Sequence, residues 1–182
     1  KYNIPIWLGE TGENSNVWFT DAIALVESQG IGWAWWPLKK LGFNNPLEVK
    51  PNAGYLALVD YWNGKGEKAS AKDAKKALMQ LANHDINFAN NIQHPDVIDA
   101  MFRQPHSTLN LPFKEHRIGK SGGTVAAVDY DMGRSGYAYL DKDFANYHVS
   151  TGGERTPWNR GTTYRNDGVD IAFDAAKKSH FI

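Results

Sequence analysis

Apolar and polar positions along the chain follow one rhythm up to about residue 104 and another beyond it. Residues 3–9, NIPIWLG, are β-favouring and apolar and close on a glycine, the pattern of a short buried strand. A polar, glycine-containing turn, GETGENSN, follows. Trp18, Ala22, Leu25 and Val26 then recur at helical spacing, which predicts a helix from a cap at Asn14 or Ser15 to a stop at Gly30. Residues 31–36 form a second apolar run. Strand, helix and strand in this order make a βαβ unit, which implies a parallel sheet and a right-handed crossover.

Residues 37–51 read as a loop. Three helical stretches come next. The first, over residues 53–62, is apolar at Leu56, Val59 and Trp62. The second starts at Ser70, with Asp73 three residues on as a capping box, and is expected to bury Ala74, Ala77, Leu78 and Leu81. The third opens at Pro95 with Asp96 in its first turn and carries Val97, Ile98, Met101 and Phe102. Residues 105–120 have no periodicity and the composition of a linker. Beyond them TVAAVDYD, GYAYLD, YHVST and GVDIAF read as short strands between Gly, Asn and Asp turns, the texture of an all-β sandwich. The expected division is therefore residues 1–104, a linker over 105–120, and residues 121–182.

Charge and composition narrow the function. The 20 basic and 20 acidic residues cancel, whereas phosphate binding favours a basic excess, so nucleic acid is not an expected partner. No apolar run reaches the roughly 20 residues that cross a bilayer, and residue 1 does not open a signal peptide. The absence of cysteine excludes disulfides, thiolate metal sites and a cysteine nucleophile. Seven Trp and eight Tyr exceed what one core of this size needs. Flat rings of this kind stack on the apolar faces of sugars.

In a parallel α/β barrel the reactive groups sit at the carboxyl ends of strands. Glu10 is in that position, after Gly9 and before a turn. Retaining glycoside cleavage needs one carboxylate as nucleophile and a second as acid, about 5–5.5 Å apart. A strand-end glutamate suits the first role; its plainer uses are a helix N-terminal charge or a solvated surface group. Trp36 ends the next strand on the face where Glu10 emerges, as a floor for a sugar. Trp33 and Trp35 fall on the opposite face by strand alternation and are expected to pack under helices.

IPIWLGETGENSNVWF followed by GIGWAWWPLKK resembles the seventh and eighth βα units of glycoside hydrolase family 5, the cellulase family. The resemblance covers roughly residues 1–104 and implies the C-terminal part of a (β/α)8 TIM barrel with a helical extension. It makes Glu10 the nucleophile and Trp36 the floor of the cleavage subsite. It places the acid/base glutamate, and the remaining site residues, on strands that would precede residue 1. The chain is therefore expected to be a segment of a longer, secreted or periplasmic, bacterial-type polypeptide, and inactive alone. The distinctive YRNDGVDI, with TVAAVDYDMGRSGYAYLD before it, resembles the opening strands of a family 6 carbohydrate-binding module, a jelly-roll sandwich. That likeness makes Tyr164 one wall of a sugar cleft.

The family 6 pattern has acidic residues where this chain has Ala126 and Val128, which puts its structural calcium in doubt; Asp129, Asp131 and Asp141 remain as oxygen ligands or as turn formers. No cofactor is expected. Trp158 is a second sugar platform or a loop anchor. Six histidines, at 84, 94, 106, 116, 148 and 180, show no metal spacing and read as surface or turn residues. Lys39 and Lys40 read as a solvated pair and Glu13 as a helix N-terminal charge, while Asn14 or Asn16 could reach the cleft. The expected function is retaining hydrolysis of a β-linked polysaccharide, with polymer substrate and the rest of its own polypeptide as partners. The alternative is a non-catalytic carbohydrate-binding protein.

Overall fold

A computed structural model describes residues 4–12, 14–42, 45–142 and 164–182. In chain order the elements are β1 (Trp7–Leu8), α1 (Asn16–Ser28), β2 (Gly32–Trp33), β3 (Lys39–Lys40), β4 (Leu47–Glu48), α2 (Ala53–Trp62), α3 (Ala71–Gln80), β5 (Ile92–Gln93), α4 (Pro95–Phe102), β6 (Ala172–Asp174) and β7 (Ser179–Phe181). They fall into two compact units: residues 1–37 with 94–182, and residues 38–93.

The first unit is built on β1, α1 and β2. The two strands pair in parallel, Trp7 opposite Gly32 and Leu8 opposite Trp33. Ser15, one of the two cap positions expected, accepts from the Trp18 N–H at 3.3 Å. Gly30, at φ +66°, ends α1 in a Schellman motif: its N–H reaches Glu27 O and the Ile31 N–H reaches Val26 O, both at 2.9 Å. The buried face of α1 is Asn16, Phe19, Thr20 and Ile23. The apolar recurrence at Trp18, Ala22, Leu25 and Val26 marks the helix but not this face, since Trp18 and Leu25 are exposed. Phe19 and Ile23 instead meet Val97, Ala100 and Met101 of α4, and Trp33 and Trp35 close the cluster. Trp35 meets Phe19 edge-on at 4.3 Å, and the Trp33 indole N–H donates to Glu27 at 2.9 Å. Thus these two tryptophans pack against helices, as alternation along the strand implies.

The second unit joins the three-stranded sheet β3–β4–β5 to α2 and α3. Both helices start at a side-chain cap, the second at the Ser70 expected for it: Asn52 accepts from Tyr55 N–H at 3.0 Å, and Ser70 Oγ accepts from Asp73 N–H at 3.1 Å. The Ser70 hydroxyl also donates to the Asp73 carboxylate at 2.6 Å. Gly54 lets the helices approach closely, because a Cβ there would stand 2.9 Å from that of Ala77. Of the apolar residues expected inside α3, Ala77 is buried but Leu78 is exposed; in α2 it is Leu58, not Leu56 or Trp62, that is buried.

Past residue 104 the described residues turn more than they extend. Residues 127–129, expected in a strand, form a 3-10 turn, and Leu111 pairs with Met132 through an isolated antiparallel bridge. β6 and β7 form an antiparallel hairpin. Among the described residues the sheets hold two, three and two strands.

Candidate functional site

The parallel ladder continues past β1 and β2. Ala34 N–H donates to Leu8 O at 2.8 Å and Trp36 N–H to Thr11 O at 2.5 Å. The donors are two positions apart and the acceptors three, so the strand carries an extra residue between Leu8 and Thr11. Such a bulge re-aims side chains at a sheet end. Glu10 lies within it and is exposed. Its carboxylate has no hydrogen-bond or ion-pair partner among the described residues.

Trp36 itself makes the last rung and is 60% exposed. Gly12 makes this approach possible: at φ +144° it lies so close that a Cβ would stand 2.0 Å from Trp36 O. No side chain fits there. The backbone therefore sets Glu10 and Trp36 on adjoining ends of the parallel pair, and both residues are exposed. Asn14 and Asn16 do not join them. The Asn14 carbonyl accepts from the Asn166 side chain at 2.8 Å, and Asn16 is buried in a polar network.

That network is the feature the sequence pattern missed. Asn16 donates to Asp96 at 2.9 Å and to Asp167 at 2.6 Å, and its N–H bonds Asn166 O at 2.9 Å. Asn166 returns a backbone N–H to Asp96 at 2.8 Å. Arg165, 1% exposed, meets Asp167 at 2.7 Å, donates to the carbonyls of Tyr130 and Asp131, and packs its guanidinium 3.7 Å above the Tyr130 ring. Tyr130 and Tyr139 hydroxyls close on Asp167 and its carbonyl at 3.1 and 3.4 Å. Burial pushes the Asp167 carboxyl above its ordinary range, against the pull of Arg165 and with a further push from Asp96. Burial likewise raises both tyrosine hydroxyls.

Tyr164 precedes this network and sits in different company. At φ +69° its side chain turns to Lys114 and Asp129, both of which its hydroxyl contacts, while His180 stacks on the ring at 4.5 Å. Lys114 and Asp129 pair at 3.0 Å, and the Lys114 Nζ lies 4.7 Å from the ring centroid. Its hydrogen bond to Tyr164, reinforced by Asp129, raises the Lys114 pKa. Burial pushes Asp129 up, but the Tyr164 hydroxyl and Lys114 outweigh it and hold the carboxyl below its usual value. His180 is thus an aromatic contact, and His94, expected at the surface, is buried where the chain enters α4. Lys39 is exposed, as expected, and its ammonium donates to Ile86 O at 2.6 Å. Trp158, His148 and Glu13 lie outside the described residues. Among the described residues no three His, Asp or Glu side chains are grouped to hold a metal, and no helix is long and apolar enough to cross a membrane.

No family model, curated protein or solved structure matches the chain.

Proposed function

We propose that the chain supplies the nucleophile end of a retaining glycoside hydrolase acting on a β-linked polysaccharide, and that its C-terminal part holds the same polymer. The observation that supports this most is the pairing of an exposed Glu10 with an exposed Trp36 on adjoining parallel strand ends. In this reading Glu10 attacks the anomeric carbon and Trp36 lies under the ring of the sugar. The acid/base carboxylate, about 5–5.5 Å away in a retaining site, comes from barrel strands outside this segment. The apolar flank of β1 fits that arrangement: Ile4, Ile6 and Trp7 are all exposed, as strands are when neighbours belong beside them. Tyr164 and Trp158 serve the appended module. It adds effective concentration at the polymer rather than chemistry, and the enzyme is secreted.

An activated 2-deoxy-2-fluoro glycoside with a dinitrophenolate leaving group tests this, because that group departs without an acid. The polypeptide containing this segment is expected to gain one glycosyl mass on the peptide bearing Glu10, and Glu10→Gln to gain none. Label on any other residue rejects the assignment. A second reading, a non-catalytic carbohydrate-binding protein, is favoured by one observation: the Glu10 carboxylate has no hydrogen-bond or ion-pair partner among the described residues to orient it for attack. Retention of the protein in gels containing soluble β-glucan, with no adduct formed, would select it.

A further inference from the structure

We propose that a cleft between α1 and the turn at residues 134–137 is a separate subsite for a neutral pyranose, held through two adjacent hydroxyls. The cleft has a volume of about 610 Å³ and lies wholly within the first unit. Tyr137 on its rim is 61% exposed, a large flat ring left open to solvent. The ring sits on a fixed backbone: Tyr137 N–H donates to Arg134 O at 3.1 Å, and Tyr137 O accepts from the Asn110 side chain at 3.1 Å. A platform that is exposed yet held loses little entropy when a sugar stacks on it.

Beside the ring, Arg134 Nη2 and Asp21 Oδ1 pair at 3.1 Å, with both side chains partly or largely exposed. This pair determines the ligand class. An unpaired arginine would favour phosphate or carboxylate, but here Asp21 cancels its charge. What remains is a donor set and an acceptor set side by side: the guanidinium carries five N–H groups and the carboxylate two oxygens. Adjacent sugar hydroxyls, each donor and acceptor at once, match that arrangement. The floor does not compete for the ligand. Thr20 donates inward to Ala100 O at 3.0 Å, and Gln104 donates to Asp99 at 2.9 Å. The subsite shares its ligand class with the proposed function but none of its residues.

Calorimetric titration of the whole chain with neutral β-linked pentasaccharides (cellopentaose, laminaripentaose, xylopentaose and mannopentaose) tests it. At least one is expected to bind. Tyr137→Ala and Asp21→Asn should each weaken that binding about tenfold or more, while Tyr137→Phe keeps it. The melting temperatures of Asp21→Asn and Tyr137→Phe should stay at the parent value. Binding by none of the four sugars, undiminished binding in Tyr137→Ala and Asp21→Asn, or tighter binding of an oligogalacturonate would each overturn the proposal. Glu10→Gln should leave this binding intact, so failure here and failure of the nucleophile assignment are distinguishable.

Discussion

A guanidinium enclosed by one carboxylate, two carbonyls and the faces of Tyr130 and Phe113 has given up its water entirely. Removing it leaves Asp167 buried and uncompensated, a change that costs about 3–5 kcal/mol. Arg165→Met is therefore expected to lower the unfolding free energy from urea melts by that amount, and Arg165→Met with Asp167→Asn to recover part of it. In the second unit, Asp85 is buried against Asn52, whose side-chain N–H at 2.7 Å does most to lower its pKa from 3.8. A depressed carboxyl stabilises the fold above its unfolded pKa. That contribution is lost as pH falls through the lower folded value. Acid unfolding of the second unit should thus show an Asp85-dependent step below about pH 4, absent in Asp85→Asn when melting is followed from pH 6 to 2. At this scale the sequence reveals charge but not burial. YRNDGVDI drew notice for Tyr164 as a ligand contact, while the deeper residues of that stretch are Arg165, Asn166 and Asp167. Nothing local distinguishes a buried arginine from a solvated one.

Elements that carry their own stop and start signals were the most legible. Ser15 and Gly30 bracket α1, Ser70 opens α3 and Pro95 opens α4, because caps act within one turn. The buried faces were not legible, since α4 and Trp35 select Phe19 and Ile23 from far along the chain. Ser15→Ala should cost about 1 kcal/mol through the lost cap of α1, read as a shift in midpoint without a change in slope. Gly12→Ala is a harsher change: at φ +144° and with Trp36 O in its way, the strand end must open. Tryptophan fluorescence should report Trp36 moving, and the Glu10 adduct should form more slowly although Glu10 itself is untouched.

Across the molecule, the change of texture near residue 104 falls where the last described α-helix ends, but the strands expected at 124–131 and 136–141 are turns and irregular backbone. Which segments share an interior is decided instead by hydrogen bonds such as Asn16 to Asn166, 150 positions apart. Long-range closure of this kind is what a scan of neighbouring residues cannot register. It also has a consequence for synthesis. During translation α1 exposes its polar Asn16 to an interior whose other half has not yet been made. At the usual 5–20 residues per second the wait is about 8–30 s. Ribosome-stalled chains ending before residue 164 should be cut within α1 by protease, and chains that extend past the exit tunnel should resist. A nascent chain that spends so long half-closed is a natural client for chaperones, and slowing its codons would lengthen that exposure rather than relieve it.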